Sequence, residues 1–195
     1  MFRAVQIVLG VLGLILAFGG DRLSMPLLVN GALVCFGLFG MAIGWEAILT
    51  RHFVLGSRSR GTSETYTGLP AILQGIQFNL IGLVFIGLSV FSYLNFEGVG
   101  RELFLHFMRR PGLPLMLIGA LLLLQSLVMF LGYREINQGP GFMVTLNLLF
   151  SRMLPGIILV VLGLGAMGLG LFESVAPNAF DEMGGGFLET LYGLR

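Results

Sequence analysis

Glu46 is the acid set closest to an apolar block in this sequence, directly after Trp45 and shortly before Arg51 and His52. An intramembrane carboxylate is by default a proton or cation site. A carboxylate beside a tryptophan at the end of an apolar run has a plainer role, snorkelling to the interface or pairing with an arginine there. The plainer role is the expectation here, with Arg51 or Arg134 as the partner. Arg51 is five residues on, and Arg134 corresponds to Glu46 in the repeat described below.

Amides and hydroxyls inside apolar stretches are Asn30, Gln74, Gln77, Asn79, Ser89, Gln125 and Ser126. Gln74 and Gln77 share a helical face. Such groups can line a substrate path or hold a cofactor, but in bilayers they more often join helices, at ~0.6 kcal/mol each. His52 and His106 are each isolated, and on opposite sides of the bilayer they cannot ligate one haem between them. Either alone offers one ligand for a pigment or metal, a role that a lone interfacial histidine seldom has.

Other chemistries are excluded by count. All eleven basic residues are arginines. Without lysine there is no Schiff base and no P-loop. The lone Cys35 closes no intramolecular disulfide and reads as a small hydrophobe. Asp21 and Asp181 are the only aspartates and both flank apolar blocks, so paired intramembrane aspartates and a Ser-His-Asp set are missing. No basic patch interleaved with aromatics argues for nucleic acid. No catalytic, cofactor-binding or metal-ligating residue is assigned, and an enzyme is not expected.

The elements that must carry these residues follow from composition. Of 195 residues 56% are hydrophobic and 11% charged, with 30 glycines and a mean hydropathy of +0.93. Soluble domains carry about 25% charged residues. Five uncharged stretches are long enough to cross a bilayer: Ala4–Gly20, Leu23–Trp45, Thr65–Phe96 (apolar from Leu69 to Leu94), Pro111–Tyr133 and Met153–Phe172. Ala4–Gly20 behind Arg3 has the short core of a secretory leader, but is read as a retained span. The expectation is an all-α integral membrane protein with one transmembrane domain over 1–174 and an extramembrane tail over 175–195.

Two further segments are amphipathic. In Glu102–Arg110 the polar residues Glu102, His106, Arg109 and Arg110 share one helical face and Leu103, Phe104, Phe107 and Met108 the other. In Phe142–Ser151, Phe142, Met143, Leu146, Leu149 and Phe150 form a stripe. Both read as helices lying on the membrane surface, the second separated from the last span by Arg152 and Pro155.

The chain also resembles itself. Pro26 and Gly31, Pro70 and Gly75, and Pro114 and Gly119 share a Pro-x4-Gly spacing at intervals of 44 residues. At an offset of 88, Pro26, Leu27, Gly31, Ala32, Leu33, Met41, Gly44 and Ile48 match Pro114, Leu115, Gly119, Ala120, Leu121, Met129, Gly132 and Ile136. Trp45 falls on Tyr133. Leu69-Pro70 opens the third span as Leu154-Pro155 opens the fifth. Spans 2–3 and 4–5 thus read as two copies of one hairpin in the same orientation, related by an axis along the membrane normal. Glycines recur after seven residues in Gly37/Gly44, Gly75/Gly82, Gly112/Gly119 and Gly156/Gly163/Gly170, and Gly40 with Gly44 makes a GxxxG. Small residues on one face favour close helix packing over a wide pore.

Arginine placement puts six residues on the N-terminal side of the membrane and five on the other, which reads as N-terminus inside and C-terminus outside. Gly184–Gly186 reads as a hinge to a short docking helix at Phe187, Leu188, Leu191 and Leu194. The expected function is a non-catalytic accessory subunit of a larger complex, an energy-converting one in a bacterial cytoplasmic membrane. Its partners would be other membrane subunits and lipids. The alternative is a small homo-oligomeric transporter or channel built from the repeated hairpin.

Overall fold

Proline and glycine mark where the apolar blocks begin. In the computed structural model, which describes residues 2–55, 64–96, 101–136 and 141–185, helices α1 (Phe2–Arg22), α2 (Pro26–Thr50) and α3 (Leu69–Phe96) fall in the first half. Helices α4 (Arg101–Arg109), α5 (Gly112–Ile136), α6 (Phe142–Leu148), α7 (Leu154–Val175) and the short α8 (Pro177–Phe180) follow. Pro26, Pro70, Pro114 and Pro177 lie in the first turns of helices, where the missing N–H costs no hydrogen bond. Among the described residues five helical segments are long and apolar enough to cross a membrane. The chain is a helical membrane protein.

Contacts divide the chain at Gly100/Arg101 into two compact units, where the sequence reads as one domain over 1–174. The cause is local: α2 packs on α3 and on α1, while α5 packs on α7, each helix finding its partner in its own half.

The first unit holds an element that the all-α reading lacks. Strands β1 (His52–Leu55) and β2 (Glu64–Thr67) pair antiparallel, Phe53 opposite Tyr66. Phe53 and Tyr66 are buried, their rings 6.4 Å apart, and Phe53 stacks at 5.4 Å on Phe78 of α3. The composition was β-prone (His-Phe-Val-Leu against Glu-Thr-Tyr-Thr), but four residues per strand are too few to stand without this docking. The hairpin closes where Gly68 N–H donates to the Arg51 carbonyl at 2.9 Å. Both residues adopt the left-handed region, Arg51 at φ 52° and Gly68 at φ 66°. Arg51 is the C-cap of α2, a position where glycine meets no steric cost. Relief of the left-handed strain, less glycine's backbone entropy, is therefore expected to make Arg51→Gly raise the stability of the purified protein by about 0.5–1 kcal/mol. A loss of stability on that exchange would show that the Arg51 side chain contributes more than the backbone strain.

Glycine decides how the hairpins close. A Cβ placed on Gly37 would lie 2.7 Å from the Gly82 carbonyl oxygen, and one on Gly82 2.5 Å from that of Gly37. Gly44 and Gly75 face each other in the same way, at 2.5 and 2.6 Å. In the second unit Gly112 and Gly170 are reciprocal at 3.0 and 2.5 Å, and Gly119 and Gly163 at 2.7 and 3.0 Å. Backbones this close gain dispersion contacts and Cα–H···O interactions that stand in for the hydrophobic drive absent in lipid. Gly40 is looser, its nearest neighbours being the Phe78 carbonyl at 3.4 Å and Gly82 Cα at 3.6 Å, so the seven-residue row rather than the GxxxG makes the close approach. Gly156 faces the Phe130 ring.

The two hairpins use one contact scheme. Met41 lies against Gly82 as Met116 lies against Gly170, Ile48 against Gly75 as Leu123 against Gly163, and Asn79 against Gly44 as Met167 against Gly119. The correspondence runs at 75 residues between α2 and α5 and at 88 between α3 and α7. The sequence matches of Pro26–Ile48 with Pro114–Ile136, at 88, do not fall on these equivalent contacts. Leucine- and glycine-rich helices give many near-equal alignments, and backbone clearance selects among them.

The second unit departs from expectation at its entry to α7. Arg152 and Pro155 do not separate the two helices. The backbone stays helical from α6 through a wide turn at Leu149–Met153 into α7, with Leu154 N–H bonded to the Leu149 carbonyl. This π-type turn accommodates Pro155, which has no N–H and whose ring would crowd the carbonyl four residues earlier. Of the expected stripe Phe142, Leu149 and Phe150 are exposed, and Leu148 is the buried residue. In α4 and at Arg110 just after it, the polar set Glu102, His106, Arg109 and Arg110 is exposed and Leu103 is buried, with Phe104 exposed. The Phe187–Arg195 docking helix lies outside the described residues.

Candidate functional site

Several polar residues of the first unit meet where α1 begins and α2 ends. Glu46 lies inside α2, one turn before its end, rather than beyond it. Five residues from Glu46, Arg51 is about 140° away around the helix. Among the described residues Glu46 makes no ion pair with Arg51; its partner is Gln6 of α1, whose Nε2 donates to Glu46 Oε2 at 2.6 Å. The expected Glu46–Arg51 pair is therefore corrected to a Gln6–Glu46 hydrogen bond. Arg134 lies in α5, and its side chain is outside the described residues.

Gln6 escaped the sequence reading because a single amide within one turn of Arg3 looks like part of the polar flank. Its signal was its isolation, as the only amide in an otherwise apolar α1. The glycines Gly13 and Gly20 bring α1 against α2, where they meet Phe36 and Val29, and so carry Gln6 to Glu46. The Thr50 hydroxyl lies 2.7 Å from the Glu46 carbonyl and 3.1 Å from that of His52, tying the last turn of α2 to β1. The result is a cavity of about 370 Å³ bordered by Arg3, Gln6 and Glu46, with His52, Phe53 and Val54 from the hairpin and Ile43, Ala47 and Phe78 from the helices. Its volume is at the lower end of small-molecule sites, about 300–1,000 Å³. It has an acid, a base and an apolar wall.

The second unit has a different charged site, which the sequence reading did not single out. Glu173 is only 6% exposed and pairs with Arg110 Nη1 at 3.4 Å, where α7 ends beside the start of α5. Close approach of Gly112 to Gly170 brings the two termini together.

Two of the remaining candidates bond to helix backbone. Ser89 Oγ donates to the Asn30 carbonyl at 3.0 Å, joining α3 to α2, and Ser126 bonds back to Leu123 within α5. Asn30 and Gln74 are buried, and Asn79 lies against Gly44. The equivalent of Asn79 in the second hairpin is Met167, so the polar character belongs to the first unit. Cys35 is a buried free thiol, His106 is exposed with its ring edge-on to Phe107, and His52 is exposed. Among the described residues no three His, Cys, Asp or Glu side chains come together.

The site thus belongs to a polytopic helical membrane protein. No family model, curated protein or solved structure matches the chain.

Proposed function

We propose that this chain is a non-catalytic subunit of a larger membrane complex, one that packs against the transmembrane helices of neighbouring subunits. One observation carries the reading: α7 has two glycine rows. Gly156, Gly163 and Gly170 are buried within the second unit, whereas Gly165 and Gly168 have nothing within 4 Å of a Cβ. The second row is displaced from Gly163 by about 200° and 140° around the helix. Glycine facing lipid weakens a helix by roughly 1 kcal/mol relative to alanine and contributes no packing, whereas at a helix interface it admits a neighbouring backbone. The partner is accordingly an apolar transmembrane helix. Lipids cover the rest, with α4 and the Phe142–Phe150 stripe at the membrane surface.

The proposal includes the topology read from charge. The N-terminus lies on the inner side of a bacterial cytoplasmic membrane and the C-terminus on the outer side, in an energy-converting assembly. The shared contact scheme of the two hairpins favours descent from one duplicated unit. It also favours the second reading, a transporter or channel built from that unit.

One experiment separates the two. Gly165→Leu/Gly168→Leu should leave the purified subunit folded and strip stoichiometric partners during mild solubilisation from native membranes. Retention of every partner by the double variant, or ion or solute flux by the wild-type chain alone in liposomes, would overturn the subunit reading.

A further inference from the structure

We propose that the cavity between α1, α2 and the β1–β2 hairpin binds the headgroup of a zwitterionic aminophospholipid, the phosphoethanolamine type, with its ammonium at Glu46 and its phosphate on the side of Arg3 and His52. The depth is that of a headgroup. Trp45, half exposed beside Glu46, is an interfacial anchor, and the cavity is lined where α1 begins and α2 ends. The charges fit such a ligand in both signs. Gln6 engages Glu46 Oε2, fixing the carboxylate while leaving Oε1 to accept from a donor in the cavity. Arg3 is exposed and supplies a permanent positive charge on the same cavity. The rest of the lining is largely apolar, with Phe53 stacked on Phe78, as a glycerol backbone and the first acyl carbons require.

The donor count selects among lipids. A primary ammonium offers three N–H donors to a carboxylate acceptor, a choline none, and an anionic glycerol headgroup brings no cation to Glu46. Charge-assisted hydrogen bonds of this kind discriminate about tenfold or more.

The test uses the full chain, delipidated in detergent, with short-chain phosphatidylethanolamine, phosphatidylcholine and phosphatidylglycerol added singly and binding read by native mass spectrometry and thermal shift. Wild type is expected to bind the ethanolamine lipid about tenfold more tightly than the choline lipid. Glu46→Gln should abolish that preference. Arg3→Gln, at an exposed site that leaves the packing intact, should weaken all three lipids, and Glu102→Gln should change nothing. Equal binding of ethanolamine and choline lipids by wild type, or a preference that survives Glu46→Gln, would overturn the proposal. Should Glu46→Gln fail to fold, unchanged ethanolamine-lipid binding by Arg3→Gln would overturn it independently. Soluble phosphoethanolamine binding as tightly as the lipid would overturn the lipid assignment in favour of a free zwitterion.

Discussion

Gly82→Ala is expected to destabilise the first unit by about 1–2 kcal/mol, and Gly82→Leu to prevent the α2–α3 hairpin from closing. The added Cβ would sit 2.5 Å from the Gly37 carbonyl oxygen and 3.1 Å from the Met41 nitrogen, so relief requires moving a backbone rather than a side-chain end. Overpacking of this kind costs roughly 1–3 kcal/mol, from which a helix-propensity gain of up to about 1 kcal/mol is subtracted. Gly119→Ala should behave alike in the second unit, where the Gly163 carbonyl lies at 2.7 Å. Gly40→Ala, in ordinary contact at 3.4 Å, should be close to neutral. Gly87→Ala, with nothing within 4 Å, should be neutral or stabilising. Equilibrium unfolding in mixed micelles measures the series. Equal losses at Gly82 and Gly87 would show that the helices are not held backbone to backbone.

Asn30→Leu is expected to act in the opposite sense, raising stability by about 1–2 kcal/mol. Asn30 occupies the same seven-residue row as Gly37 and Gly44, opposite Ser89, and is only 5% exposed. Neither its Nδ2 nor its Oδ1 has a hydrogen-bond partner among the described residues, and the fully buried Ser92 Oγ is likewise unpaired. A buried unpaired amide costs roughly 1–3 kcal/mol, and leucine has the same branching without the polar atoms. Only the Asn30 carbonyl is used, by Ser89, and that bond survives the exchange. A drop in stability instead would mean that the amide is hydrogen-bonded in the membrane and that its polarity is needed there.

The polar sites show where sequence reasoning stops. Glu46 stood out because an acid beside a tryptophan at the end of an apolar run is rare, and it does border the cavity. Its partner did not stand out, since Gln6 is 40 residues away and nothing in either segment encodes the pairing. Glu173 directly follows the last apolar stretch, and nothing in its residue type marks it as buried. Its burial depends on Gly112 and Gly170 drawing two helix ends together, a distance that residue types alone do not contain. The β-hairpin was hidden for a related reason, as four-residue strands are stable only once Phe53 reaches Phe78.

Residue types and their order settled the solvent and the long helices. Long apolar blocks, bounded by arginines, acids and prolines, can only be membrane-crossing helices, because hydrocarbon offers the backbone no other hydrogen-bond partners. Residue order also placed the glycines at seven-residue intervals, which two turns of helix turn into one face. Tertiary structure decided which faces meet, that Gly37 opposes Gly82 and Gly112 opposes Gly170, and hence the register in which the two hairpins correspond. It decided that Glu46 turns to Gln6 rather than to Arg51, and that Arg152 and Pro155 are absorbed in a wide helical turn. The physical reason is the range of each interaction. Hydropathy and proline act on the chain locally and survive in a linear string, whereas backbone clearance and side-chain pairing exist only between segments that packing has already brought together.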